Sequence, residues 1–236
     1  MDPVGILLQT PIFRDLSAPD VEELLPDLRE RSFARDESVW LEGDPSDSLY
    51  IIAEGQLKSY RVSPDGAELI LLLQSGIDSA GEIGLFHPSG VRQVSVAAMM
   101  PTRCLILPKA ALVAFLARHP VAMERMLERI CSTAGKAAYS LSGVAFDDIS
   151  RRVAAALLGL ADEFGEETPD QGVRIRLQLS QGTLAALVAA SRENVNRALS
   201  TFLRSGAVSQ HAGHFHLHDL ASLQAAATGL DIGRDL

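Results

Sequence analysis

The chain has 236 residues, 47% of them hydrophobic, and no run approaches the ~18 consecutive apolar residues of a membrane span. At about 100–200 residues per domain, two modest domains are the expectation. Lysine and arginine number 21 against 30 aspartate and glutamate, a formal net charge of −9. That balance excludes a protein coated all over with positive charge for nucleic acid or membrane, and leaves room for one basic face. The start, Met1-Asp2-Pro3-Val4-Gly5, lacks the positive charge and apolar core of a secretory signal, so a cytoplasmic location is expected. Cys104 and Cys131 lack the paired spacing of zinc or iron–sulfur sites and are expected as buried, reduced thiols.

From about Leu28 to Leu107 short apolar runs alternate with glycine-bearing turns, the pattern of a barrel or sandwich of short strands. Gly43-Asp44-Pro45 is a turn, Leu49-Tyr50-Ile51-Ile52-Ala53 a buried strand, and Gln56 to Val62 an alternating one. Pro64-Asp65-Gly66 marks a hairpin, because proline presets φ and glycine accepts a positive φ, and Glu68 to Leu73 returns as its partner.

After Pro108 the spacing becomes helical and is expected to stay so to about Phe164. Within it Leu127, Ile130, Ala134, Ala137, Leu141 and Val144 step by three and four, the seam of a two-stranded coiled coil. The competing expectation is a helix packed on its own domain. From about Asp147 the pattern gives a helix, a loop from Gly165 to Gln171, a strand over Val173–Leu177, two helices, and a hairpin turning at Ala212-Gly213. A short helix from Asp219 to Ala227 follows, and the last residues are expected to be loose.

Counted from Gln181, residues Leu184, Val188, Val195 and Ala198 fall at the buried positions of a helix-turn-helix, with Ala185 small at the crossing. Ser191 is the candidate N-cap of the second helix. Val195, Ala198, Leu199 and Phe202 form its buried stripe, which leaves Arg192, Glu193, Asn196 and Arg197 on the opposite face. Arginine grips guanine through two parallel bonds, glutamate accepts from cytosine, and asparagine addresses adenine. From Gly172 to His218 the chain carries a local net charge of +4, so the basic face lies here, and the hairpin that follows reads as the wing of a winged helix. Ala189 occupies the ninth position, where a left-handed glycine is common. Strain there would favour a turn built differently.

Gly81-Glu82-Ile83-Gly84, with Arg92 and Gln93 following, has the chemistry of a phosphate cradle. Glycine admits backbone amides to an anion, glutamate accepts from a ribose hydroxyl, and arginine neutralises a phosphate. A glycine-bounded turn with a surface Glu82–Arg92 salt bridge explains the same letters.

Together these features resemble the bacterial catabolite-activator and fumarate-nitrate regulators, the Crp/Fnr family. The resemblance spans about Phe13 to Leu220 and rests on Gly43-Asp44, Gly55, Gly81 to Gly84 with Leu85-Phe86, Arg92, Val144 to Ile149, and Ser191-Arg192-Glu193 with Arg197. It implies an α+β chain with a β-roll (jelly-roll) effector domain over residues 1–120, a dimerisation helix and hinge over 121–146, and a winged helix-turn-helix over 147–236. It also implies a homodimer on a pseudo-palindromic double-stranded site, RNA polymerase as partner through the region Asp162 to Gly172, and no enzymatic or membrane role. Arg192, Glu193 and Arg197 would read bases, while Ser180 and Gln181 would touch phosphate. In the family's cyclic AMP receptors a Ser or Thr follows the cradle arginine and a Thr–Ser pair on the long helix meets adenine. Here Gln93 and the pair Ala137 and Ala138 stand instead, so the expected cofactor is a cyclic nucleotide bound weakly, differently or not at all.

Two other readings use the same residues. One is a cyclic-nucleotide-binding module acting on a protein partner, and the other a metal enzyme using His214, His216 and His218 on one strand face. No metal ligand set is nominated.

Overall fold

The computed structural model describes residues 2–169 and 172–229, residues 139–142 by their backbone alone. The chain packs as two units, Met1–Arg61 with Leu71–Ala138, and Val62–Ile70 with Tyr139–Leu236.

The first unit opens on two helices to which the residue pattern assigned nothing. Helix α1 (Pro3–Gln9) starts where the Asp2 carboxylate accepts from the Gly5 amide and Pro3 presets the first turn, and it buries Ile6 and Leu7. Helix α2 (Ala18–Glu22) starts where the Asp20 carboxylate accepts from the Ser17 amide at 3.0 Å.

Eight strands follow: β1 (Arg29–Phe33), β2 (Ser38–Trp40), β3 (Ser48–Glu54), β4 (Gln56–Val62), β5 (Glu68–Ser75), β6 (Asp78–Ala80), β7 (Ser95–Ala98) and β8 (Thr102–Pro108). A short helix, α3 (Glu82–Phe86), lies between β6 and β7. They form two four-stranded sheets of order β1-β8-β3-β6 and β2-β7-β4-β5, the two-sheet roll expected from the short strands. Phe33, Trp40, Ile52, Leu57, Val96 and Cys104 fill the space between the sheets. A second apolar cluster joins Ile6, Phe13, Leu49, Leu105, Phe115 and Met126 outside the roll.

The helical stretch after Pro108 comprises three helices. Helix α4 (Lys109–Arg118) ends at His119, before Pro120 opens α5 (Pro120–Phe146). Asp147 and Asp148 then intervene before α6 (Ile149–Phe164), which Asp148 caps through the Arg151 amide. On α5 the expected seam divides. Ile130 packs against its own domain's core, whereas Leu127 is 56% and Val144 47% exposed. Ala134 and Ala137 are exposed too, and the Leu141 side chain lies outside the described residues.

The second unit continues with β9 (Gly165–Glu167), β10 (Val173–Ile175), α7 (Gln181–Leu187), α8 (Arg192–Arg204), β11 (Val208–His211), β12 (His214–Leu217) and α9 (Leu220–Thr228). Its sheet order is β11-β12-β10-β9. The segment read as a loop from Gly165 therefore begins as a strand. Gly-Glu-Glu is a poor strand former, yet pairing of Glu167 with Val173 and of Glu166 with Arg174, reinforced by a 3.0 Å ion pair between the latter two, imposes the extended form. The paired strand β10 is correspondingly shorter than the alternation suggested. Asp219 caps α9 by accepting from the Ser222 amide, as expected. The tail expected to be loose lies, from residue 230 on, outside the described residues.

Gly55 joins β3 to β4 with φ +99°, and a Cβ there would meet Thr102 Cα at 2.6 Å and Pro101 O at 2.7 Å. Both obstacles are backbone. Gly55→Ala is expected to lower stability by about 3 kcal/mol, combining left-handed strain with overpacking, measured by the denaturant midpoint at unchanged slope.

Cys104 is buried and Cys131 exposed, so only the first matches the expectation for both. Burial pushes the Cys104 thiol up to about 12. Ellman's reagent at neutral pH should titrate one thiol per native chain and both after denaturation. Because the unfolded thiol ionises near ~8.5, stability should also fall as pH rises from there toward 12.

Candidate functional site

The cradle forms at the end of β6. Gly81 takes φ +102° and becomes the N-cap residue of α3, and a Cβ at this position would collide with the Arg92 guanidinium. Glycine is therefore required both by the left-handed turn and by the close approach of Arg92. A cavity of about 150 Å³ opens here, lined by Gly81, Glu82, Ile83, Gly84, Arg92 and Gln93. All six cradle residues nominated from the sequence thus line one cavity. Trp40, Ser59, Leu71, Leu72, Gln74, Val94, Thr133 and Ala137 complete it.

The polar groups of the cradle are held by the protein itself. Arg92, only 3% exposed, donates from Nη2 to Ser48 O at 2.7 Å and from Nη1 to Gly81 O at 3.4 Å. Its guanidinium lies 4.1 Å from the centroid of Trp40 and 5.5 Å from that of Tyr50, a cation–π arrangement. Burial lowers the Arg92 pKa, opposed by nearby Tyr50 and acidic groups. Trp40 is fixed in turn by its indole N–H donating to Val94 O at 2.9 Å. Gln93 turns back on its own loop, donating to Ser89 Oγ and Val91 O at 2.9 Å each.

Glu82 is buried and accepts from the Ser79 hydroxyl. Its Oε1 also lies 3.7 Å from Arg129 Nε on α5. Glu82 and Arg92 thus bond to other partners instead of forming the surface salt bridge that the letters alone allowed. Trp40, Thr133 and Arg129 were not nominated from sequence. They come from β2 and α5, and nothing in a linear reading places either element beside residue 81.

In the second unit, α7 is capped by Ser180, whose hydroxyl accepts from the Thr183 amide at 3.0 Å, and α8 by Ser191, which accepts from the Asn194 amide at 3.3 Å. Val195, Ala198, Leu199 and Phe202 are buried as the helical spacing demands. Gln181, Ser191, Arg192, Glu193 and Arg197 are exposed, and Asn196 is half-buried. Glu193 and Arg197 pair across one turn at 3.3 Å with both side chains largely in solvent, a contact worth little by itself. Arg192 lies over the first turn of α7, where a Cβ on Gly182 would meet its guanidinium at 3.0 Å.

The turn between these helices is not built differently. Ala189 adopts φ +50° despite its Cβ. The reason lies outside the turn: Arg152 of α6 donates from Nη1 to Val188 O at 2.7 Å and to Ala189 O at 3.3 Å, holding both carbonyls in place. The sequence gives no hint of this clamp.

On the β11–β12 hairpin, His214, His216 and His218 alternate with buried Phe215 and Leu217 and so share a face. His214 Nδ1 lies 3.1 Å from Ile175 O, and His218 Nε2 lies 2.8 Å from Ser209 Oγ. No cluster suited to a metal ion occurs among the described residues.

The strain at Ala189 is removable. Ala189→Gly should stabilise the chain by ~1 kcal/mol without changing DNA affinity, checked by thermal unfolding alongside a binding titration. Destabilisation would contradict the left-handed assignment.

Comparison with known proteins assigns a family to each part of the chain. Residues 30–119 match the cyclic nucleotide-binding domain family and residues 151–226 the Crp-like helix-turn-helix domain family. The chain is 35% identical over 202 residues, 85% of its length and 89% of the relative's, to the CRP-like cAMP-activated global transcriptional regulator of Mycobacterium tuberculosis. It is 28% identical over 221 residues, 94% of its length and 98% of the relative's, to the cyclic AMP receptor protein of Thermus thermophilus. The structure of the c-di-GMP responsive global regulator CLP of Xanthomonas campestris superposes with a TM-score of 0.73, at 23% identity, over 86% of this chain and 99% of that one. A roll of the cyclic nucleotide-binding type followed by a Crp-like helix-turn-helix, in one chain with these relatives, makes this protein a member of the Crp/Fnr family of bacterial transcription regulators.

Proposed function

We propose that the protein acts as a homodimer that reads a pseudo-palindromic duplex with one α8 from each copy, and that its effector pocket takes a cyclic nucleotide weakly or in an altered way. The observation that carries the first part is the division of α8: an apolar stripe buried against its own domain, and Arg192, Glu193 and Arg197 facing solvent on the other side. In this reading the helix N-terminus and its Ser191 cap sit against a backbone phosphate, with Ser180 and Gln181 on a neighbouring one. Arg192, Glu193, Asn196 and Arg197 then face base edges.

The exposed residues of the seam, Leu127, Ala134, Ala137 and Val144, supply the dimer contact. The division of labour is an effector domain over residues 1–120, a dimerisation helix over 121–146 and a DNA-binding domain over 147–236, working in the cytoplasm. RNA polymerase is the partner in transcription.

Weak nucleotide binding is supported by the cavity wall. Ala137 stands there, and alanine offers adenine no hydrogen bond. Arg92 and Glu82 retain groups suited to phosphate and ribose. The M. tuberculosis relative is named as cAMP-activated, which makes cyclic AMP the first nucleotide to try.

Fluorescence-anisotropy titration of the full chain against a duplex selected from random sequence tests the DNA reading. Arg192→Ala is expected to weaken binding to the selected duplex by ~1–3 kcal/mol and to relax discrimination at one base pair of each half-site. Equal affinity of the wild type for selected and scrambled duplexes would refute it.

A further inference from the structure

Most of the polar groups that a nucleotide would engage in the first unit already have partners, the buried Arg92 Nε being an exception. Arg92 has two backbone carbonyls and an indole face, Glu82 has the Ser79 hydroxyl, and Gln93 has its own loop. One of these partners comes from a different kind of element. Arg129 stands on α5, 47 positions beyond Glu82 in the sequence. From Nη2 it donates to Asp78 Oδ2 at 2.9 Å and to Ser79 O at 3.3 Å, and its Nε lies 3.7 Å from Glu82 Oε1.

The network is sheltered. The side chains of Arg129 and Asp78 are each 14% exposed and that of Glu82 is 9% exposed. Arg129 Nε is buried and makes no hydrogen bond. One guanidinium thereby ties α5 to β6 and to the first residue of α3.

We infer that Arg129 serves as a built-in substitute for an effector at the cradle, linking α5 to the roll without a bound nucleotide, so that the protein binds its DNA site in the nucleotide-free state. A ligand shifts a conformational equilibrium only by its differential affinity for the two states. A ribose that reached Glu82 would exchange the Ser79 and Arg129 contacts for its own, so the net gain is small. A phosphate that drew Arg92 away would sacrifice two carbonyl bonds and the Trp40 contact in the same manner. The inference rests on the proposed reading of α8 as the DNA-contacting helix and of the cavity as a nucleotide pocket, and it is framed so that each can fail separately.

Two measurements on the full chain test it. In the first, anisotropy titrations use the selected duplex without nucleotide and with saturating cyclic AMP or cyclic GMP. Wild type should bind without nucleotide, and either nucleotide should change the affinity by less than about threefold. Removing a sheltered, charge-assisted contact should make Arg129→Ala at least about tenfold weaker without nucleotide, and Arg129→Lys should restore part of the loss. In the second, calorimetry with cyclic AMP and no DNA should show Arg129→Ala binding it at least about fivefold more tightly than wild type, because Glu82 is released; a merely structural residue would not produce that gain.

Should Arg129→Ala fail to melt cooperatively, Asp78→Asn weakens the same link at nearly equal volume and is expected to shift both readouts in the same directions. The inference is overturned by wild-type DNA binding that appears only on adding nucleotide, or by nucleotide-free DNA affinity and cyclic AMP affinity in Arg129→Ala that both equal wild type. Absence of any DNA binding in wild type, with or without nucleotide, overturns it together with the reading of α8. DNA binding that behaves as expected with no cyclic AMP uptake in any variant overturns only the reading of the pocket and leaves the Arg129 link supported.

Discussion

The two-sided character of α8 is the constraint on which the functional account hangs. A helix of thirteen residues has marginal stability alone in water, so its orientation must come from the apolar stripe Val195, Ala198, Leu199 and Phe202 sinking into the second unit. That burial fixes which side chains are left outside. It also demands a sharp entry from α7, and the chain achieves this by forcing Ala189 into a left-handed conformation while Arg152 holds the neighbouring carbonyls. Local strain at the turn accompanies the burial that fixes which face of α8 is exposed.

The pocket obeys a different logic. Its geometry depends on an absence, the missing Cβ of Gly81, which lets the Arg92 guanidinium lie against the backbone under Trp40. A buried arginine is costly unless its donors are satisfied, and here two carbonyls and two aromatic rings do most of that work. Both terminal nitrogens of Arg92 and one carboxylate oxygen of Glu82 are thus engaged by the protein's own atoms, and the Ala137 side chain in the cavity wall offers no hydrogen bond.

Much of this was legible in the linear chain. Alternation and turn chemistry marked the strands of the roll, helical spacing marked the buried stripe of α8, and the cradle residues that the letters nominated do line one cavity. What escaped has a common cause. Trp40 acts on Arg92, 52 positions away, Arg129 on Glu82, 47 away, and Arg152 on Val188, 36 away, and no periodicity links such distances. The strand β9 escaped because its residues are poor strand formers held extended by a partner, and α1 and α2 because each is too short to display a period. At Ala189 the local strain is legible in the sequence, whereas the Arg152 clamp that holds the turn is not.

The central claim, that two copies of α8 address one duplex, is tested most directly by hydroxyl-radical footprinting of the full chain on its selected site. The account predicts two protected patches related by a two-fold axis, centred about one helical turn, ~34 Å, apart, and fading as salt is raised. A single protected patch, or protection of the same extent on scrambled duplex, would contradict it.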